Sequence, residues 1–294
     1  MADTISEIVC EFCGATTHTF FTEKDGHRLY RCTGCGHGVV WPLPGDTTEV
    51  YGKDYFAGAD DGFGYTNYDQ DKEPVRPLLE RALSRAEALL ADTSSRRVID
   101  VGAATGFFLD IARGRKWEVA GVELSDFAAQ VAREKGIAVT TGTLQTASMA
   151  PASVDLVTYW DVIEHVQSPV EELRTAVRIL RPGGLLMMIT PNWDSFYARL
   201  LGKRWHAIVP PEHLQYFTYK SMRKLLASAG LTEIEISSPS KSFTLSYVFQ
   251  ILYRWQGLRV WRGIAEFLKR HPRLAGVSVP IPLHDNMLVI ARKL

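Results

Sequence analysis

Two groups of residues in this chain have the types and spacing to do chemistry. The first is Cys10, Cys13, Cys32 and Cys35, spaced C-x2-C-x18-C-x2-C, with no other cysteine in the chain. Two CxxC knuckles gather four thiolates tetrahedrally around zinc, and with no coordination position left open the metal would be structural. Disulfides are the less economical reading, because MADTISEIV at the N-terminus shows no basic region followed by an apolar stretch. His18, His27 and His37 lie nearby, but a four-thiolate site needs none of them. The second group is Gly102-Ala103-Ala104-Thr105-Gly106, which follows the apolar run VIDV, together with Glu123 at the end of VAGVE. Glycines let backbone approach a ligand closely, and an acid at the tip of the next strand accepts both hydroxyls of a ribose. The pair implies a nucleoside-bearing cofactor at the carboxyl ends of parallel strands. The dinucleotide fingerprint G-x-G-x-x-G is not met, because alanine stands at its second glycine. A close pyrophosphate approach is therefore not expected.

These residues need a scaffold, and the hydrophobic pattern supplies one. Strands are expected at 98–101, 118–123, 137–141, 154–160, 185–190, 231–237 and 288–293, with helices at 76–91, 106–116, 126–135, 169–180 and 219–229. Ser125 is placed to cap one helix and Gly230 to stop another. RPGG at 181–184 reads as a turn. Repeated βα units mean a doubly wound parallel sheet with helices on both faces, so the fold class is α/β, seven-stranded and Rossmann-like. The expected organisation is a zinc-ribbon module at 1–45, a connector and first helix at 46–95, and the catalytic domain at 96–294, with a substrate cap at 193–217 and an apolar, basic insertion at 243–270. That insertion reads as a helical pair packed on the core or at a homodimer contact, with a membrane-surface role as the rival. Lys+Arg and Asp+Glu are both 33, which argues against a nucleic-acid partner. No apolar run reaches the ~18 residues of a membrane span, and a cytoplasmic location is expected.

The motifs DVGAATG (100–106), Glu123, VDLVTYWDVIEHV (154–166), LRPGGLLMMITPN (180–192) and PEHLQYFT (211–218) come in one order along the chain. In that order they resemble the class I S-adenosylmethionine-dependent methyltransferases, in the small-molecule branch that includes ubiquinone-type O-methyltransferases and antibiotic or sugar tailoring enzymes. The cysteine module ahead of the domain resembles that of deoxysugar C-methyltransferases, which are longer and carry a further C-terminal domain. The resemblance implies that Asp100 and Gly102 face the methionine part of the cofactor, with Gly106 completing the turn. It places Thr143 and Leu144 at the adenine edge, where many members have an acid, and Trp160 and Asp161 beside the cofactor. Tyr65 and Tyr68 match tyrosines that lie over it.

His165 and His213 are the candidate bases, because imidazole titrates near neutral pH. The sulfonium is already activated, however, and alignment alone supplies much of the acceleration. The expected activity is methyl transfer to a small-molecule or carrier-linked acceptor, a hydroxyl of a sugar or secondary metabolite. One rival is an rRNA or tRNA methyltransferase with a zinc module. Against it stand the zero net charge and Thr190-Pro191-Asn192-Trp193 in place of an Asn-Pro-Pro-Tyr motif. The other rival is a non-catalytic zinc-ribbon interaction protein with a degenerate methyltransferase fold, and intact Gly102, Gly106 and Glu123 oppose it.

Overall fold

A computed structural model describes residues 4–5, 8–45, 56, 68–90, 96–239, 241–281 and 284–294. Tyr65 lies outside the described residues. In chain order the strands are β1 (Thr4–Ile5), β2 (His18–Lys24), β3 (His27–Cys32), β4 (Gly38–Val40), β5 (Arg97–Val101), β6 (Glu118–Glu123), β7 (Ala138–Thr141), β8 (Val154–Trp160), β9 (Leu180–Pro191), β10 (Gln215–Tyr216), β11 (Leu231–Ser237), β12 (Lys241–Thr244), β13 (Ser278–Ile281) and β14 (Asn286–Lys293). The helices are α1 (Tyr68–Lys72), α2 (Arg76–Leu89), α3 (Phe107–Gly114), α4 (Asp126–Glu134), α5 (Pro169–Ile179), α6 (Phe196–Leu201), α7 (Tyr219–Ser228), α8 (Leu245–Gln256), α9 (Arg259–Lys269) and α10 (Pro272–Ala275).

The main sheet has seven strands in the order β11-β14-β9-β8-β5-β6-β7. The pairs from β7 through β9 are parallel, while β14 and β11 are antiparallel additions at one edge. Parallel strands sandwiched between helices are apolar on both faces, and β8 and β9 are buried almost throughout. Alternate residues feed two cores. Ile99, Val157 and Met188 face one, with α5 and α7; Val98, Leu156 and Met187 face the other, with α2 and α3. The chain runs outward from β5 to β6 and β7, then returns to place β8 on the other side of β5. Strand order therefore reverses between β5 and β8, where an open α/β sheet forms its ligand crevice.

Residues 181–184 turn as expected, within the bounds of β9 and ahead of the run that pairs with β8 from Leu185 onward. They belong to β9, whose pairing with β8 slips between Val154 and Leu156. Gly183 has φ +78, and a Cβ on Gly184 would lie 2.9 Å from the Arg181 carbonyl oxygen. Pro182 followed by Gly183 at positive φ is the geometry of a type II turn, after which the strand resumes its pairing.

A second sheet, β1-β2-β3-β4-β10, joins four N-terminal strands to one strand from the 193–217 segment. The 243–270 stretch forms α8 and α9, with the rings of Phe249 and Trp261 5.8 Å apart. Among the described residues no helix is long and apolar enough to cross a membrane.

Candidate functional site

The crevice has a glycine-turn side and a histidine side. On the first, β5 ends at Val101 and the chain turns sharply. Gly102 (φ +69) and Ala103 both donate to the Val122 carbonyl, at 2.9 and 3.0 Å, and Gly106 (φ +81) opens α3. Glu123 ends β6 and is 6% exposed; its two carboxylate oxygens accept the N–H groups of Ala104 and Ser125, each at 2.8 Å. Burial raises its pKa, while those donors pull it down. A carboxylate offers about four lone-pair sites, so two remain for further donors. Gly142 donates to the Glu123 carbonyl at 2.8 Å, which sets Thr143 and buried Leu144 beside the acid. Asp100 is 2% exposed and accepts the Thr158 hydroxyl at 2.6 Å. Burial pushes its pKa well above the ordinary range, and nearby Glu123 adds to the rise.

Helix α1 lies across the turn. Asp69 accepts the Thr105 hydroxyl and pairs with Lys135, whose ammonium also donates to the Thr105 carbonyl at 2.9 Å. Tyr68 sits on the same helix, its ring 5.5 Å from that of Phe56. Lys72, one turn on, reaches within 3.8 Å of Asp161. Burial alone would lower its pKa; Tyr68 and Asp161 outweigh that and raise it.

On the histidine side, β8 delivers Trp160 and Asp161. The indole N–H of Trp160 is buried with no hydrogen-bond partner among the described residues, and its ring lies 5.0 Å from Phe108. Asp161 adopts φ +56, an uncommon conformation for a residue with a Cβ. A short 3-10 turn, Ile163–His165, then places Glu164 and His165. The rings of His165 and His213 lie 4.8 Å apart, edge to face. Each Nδ1 meets a backbone carbonyl, Glu212 at 2.7 Å for His165 and Ala207 at 2.8 Å for His213. A carbonyl only accepts, so both Nδ1 atoms carry the proton and both Nε2 atoms are the proton-accepting positions. Burial lowers both pKa values, and with His165 alongside, that of His213 falls to about 3. Both rings are neutral at pH 7. Glu164 is 1% exposed and accepts the Thr190 hydroxyl at 3.0 Å. Ligand atoms of Glu164, His165 and His213 all lie within 4.8 Å of one another, a grouping able to hold a cation.

The two sides touch. A Cβ built on Gly102 would lie 2.6 Å from Val162 Cγ2, so the segment carrying Asp161 and His165 packs directly on the glycine turn.

The four cysteines gather as expected. Cys10 and Cys35 lie with sulfurs 3.6 Å apart, as do Cys13 and Cys32, and all four sulfurs fall within 4.8 Å of one another. A disulfide needs ~2.05 Å, whereas zinc–sulfur bonds of ~2.3 Å in a tetrahedron put sulfurs about 3.8 Å apart. Gly14 (φ +70) and Gly36 (φ +77) close the two knuckles, donating to Cys10 and Cys32 carbonyls at 2.8 and 2.9 Å. The Cys10 thiol is lowered, chiefly by its hydrogen bond with Cys35. Both ring nitrogens of fully buried His18 lack a hydrogen-bond partner among the described residues. Burial lowers the His18 pKa, while the Cys10 charge beside it pulls the other way, and a buried imidazole N–H next to the sulfurs fits a centre whose thiolates carry negative charge.

A doubly wound sheet with a glycine turn after one strand and a buried acid ending the next is a nucleoside-cofactor-binding architecture. Comparison with known proteins narrows this. A methyltransferase-domain family model matches residues 69–236. The chain is 25% identical over 174 residues to a ubiquinone biosynthesis O-methyltransferase of Nitrosomonas europaea, covering 55% of this chain and 74% of that one. It is 31% identical over 114 residues to the enzyme of that name from Paracidovorax citrulli, covering 36% and 48%. The fold is shared with the YcgJ protein of Bacillus subtilis, at TM-score 0.51 and 16% identity, over 74% of this chain and 98% of that one. The chain belongs to this methyltransferase-domain family and is an S-adenosylmethionine-dependent methyltransferase.

Lys72, Glu164 and Gln215 stand among the site's polar groups without having been singled out from the sequence. Lys72 follows Tyr68 at helical spacing, a signal that was available. Glu164 and Gln215 lie inside quoted motifs, but only the fold shows them buried and bonded.

Proposed function

We propose that this enzyme methylates a hydroxyl of a small-molecule or carrier-linked acceptor, such as a sugar or secondary metabolite. The observation that carries the reading is the packing of Val162 on Gly102, three residues ahead of His165, whose ring meets that of His213. In this reading Asp100, Gly102 and Gly106 receive the methionine part of S-adenosylmethionine, and Glu123 the ribose. Thr143 and Leu144 flank the adenine, and Tyr68, Trp160 and Asp161 close over the sulfonium. When bound, the cofactor supplies an electrophilic methyl group on a positively charged sulfur. The chain orients the acceptor: Nε2 of His213 or His165 would accept the hydroxyl hydrogen and take the proton as the oxygen–carbon bond forms and the methyl–sulfur bond breaks, its electron pair remaining on sulfur. Neutral rings of lowered pKa are weak bases, so alignment contributes more than proton removal.

The four cysteines hold a structural Zn2+ in this reading, and residues 1–45 act as a wall of the acceptor side and not as a separate reader. Residues 46–95 then serve as connector, 193–217 as cap and 243–270 as a helical outer layer of the 96–294 domain.

The test is incubation with methyl-labelled S-adenosylmethionine and a small-molecule cell extract, followed by mass spectrometry. An O-methylated small molecule is expected. Label found only in RNA would replace the acceptor assignment, and calorimetry without cofactor binding would overturn the enzymatic reading.

A further inference from the structure

The cysteine module does not end at the module. Val39 pairs with Gln215 and Gly38 with Tyr216, and the Val40 N–H donates to the Leu214 carbonyl at 3.0 Å. The Leu214 N–H in turn donates to the Glu164 carbonyl at 2.9 Å. Side chains repeat the connection. His37, 4% exposed, stacks 4.3 Å from Phe12 and 5.3 Å from Phe217, with Nε2 2.8 Å from Gln215 Oε1. The Gln215 amide nitrogen donates to the carbonyls of Val166 and Gln167, at 3.0 and 3.1 Å. Both amide hydrogens are committed, so Oε1 must face His37 and His37 Nε2 must be the donor. From the knuckle itself, Cys35 and Gly34 carbonyls accept Thr218 Oγ1 at 3.2 Å and Lys220 Nζ at 2.7 Å. Cys10, Phe12, Cys32 and Cys35 pack in one core with Ile163 and Phe217.

We propose that His37 and Gln215 are positioning residues that tie the four-thiolate centre to the segment carrying Glu164, His165 and His213. The occupied centre thereby fixes the acceptor side of the cleft from Glu164 onward and leaves the glycine turn and Glu123, the main cofactor-binding groups, alone. This rests on the zinc and methyl-transfer readings above. The glycine turn bonds to Val122 of β6 and Asp69 of α1, Glu123 to Ala104 and Ser125, and Thr143 to Thr146, and none of these partners belongs to the second sheet. His213 and Leu214 lead directly into β10, the only strand of that sheet drawn from the cap. Losing the metal frees the knuckles, then His37, then Gln215, and with it the backbone on both flanks of the histidine pair.

The experiment uses the full-length protein. Metal analysis should find one zinc per chain. Hydrogen exchange is then followed at the His165 and Leu214 amides, and ring 15N resonances of His165 and His213 report their tautomers, before and after zinc chelation. Two variants keep the metal and cut the relay: Gln215→Glu, isosteric but presenting oxygen to two carbonyls, and His37→Phe, which keeps the stack and loses the donor. His37→Gln restores a donor. Chelation and both cutting variants should speed exchange at His165 and Leu214 about tenfold or more, as local opening becomes cheaper. They should also average the single Nδ1–H tautomer, with cofactor affinity by calorimetry within about twofold of wild type. His37→Gln should recover the wild-type resonances. Unchanged exchange and tautomers in zinc-free protein would overturn the inference while leaving the zinc reading intact. Cofactor affinity falling in step with exchange would overturn it too. A chain that carries no metal would overturn both.

Discussion

The glycine-turn wall of the cleft draws its groups from residues 100–144, where each strand hands its last residue to the next turn. The histidine wall joins Glu164 to Leu214, and Leu214 to Val40, across most of the chain. One wall is assembled by neighbours in sequence, the other by partners far apart. The local wall follows from the general architecture of a doubly wound sheet. The assembled wall depends on contacts between distant segments and is where acceptor specificity would reside.

The largest expected effect lies on the local wall. In the proposed site, Glu123→Ala would remove two charge-assisted hydrogen bonds to the ribose, each worth about 1.5–3 kcal/mol. Calorimetry should show S-adenosylmethionine affinity falling about 10²–10⁴-fold. Undiminished affinity would move the ribose site elsewhere and erase the distinction between the walls.

Next comes pH, which separates the walls through His213. Its folded pKa is about 3, lowered by burial first and by His165 second, against an unfolded value near 6.5. Below 6.5 the unfolded chain binds a proton that the folded chain refuses. The contribution to stability is therefore full above pH 6.5 and is lost as pH falls toward 3, by about 1.4 kcal/mol per unit. Urea unfolding at pH 5 should show about 2 kcal/mol lost from this residue alone, and His213→Phe should flatten the slope. An equally steep profile in the variant would assign the loss to other groups.

A smaller effect is expected where the walls meet. Gly102→Ala places a Cβ at φ +69 and 2.6 Å from Val162, a conformation costing about 1–2 kcal/mol. Thermal melting should register that cost, and methyl transfer should fall more than cofactor affinity does. The smallest effect sharpens the chemical role of the histidines. His213→Ala should lower turnover less than about tenfold if alignment dominates, because a true general base contributes about 10²–10⁴-fold.

The contrast also explains what was legible in the sequence. VDLVTYW predicts β8 at its observed bounds, because a short run rich in β-branched and aromatic residues between turn signals has few alternatives. Glu123, the glycine turn and the cysteine spacing could be read for the same reason: each is a short pattern with local meaning. RPGG was legible as a turn, and what the fold adds is that the turn falls inside the bounds of β9, between Leu180 and Leu185. Gln215 was invisible because β4 and β10 pair through two residues that no periodicity links. His165 and His213 were legible as residue types, but their common tautomer depends on carbonyls of Glu212 and Ala207 that only the fold supplies.

The shared strand also sets an order of events during synthesis. Strands β1 to β4 are complete once residue 40 has been made, yet their sheet lacks its last member until residue 216 follows. At about 5–20 residues per second, β4 waits roughly ten to thirty-five seconds with its outer edge unpaired. An open edge is a template for wrong partners, so the nascent chain passes through a defined interval of vulnerability that ends when the cap strand arrives.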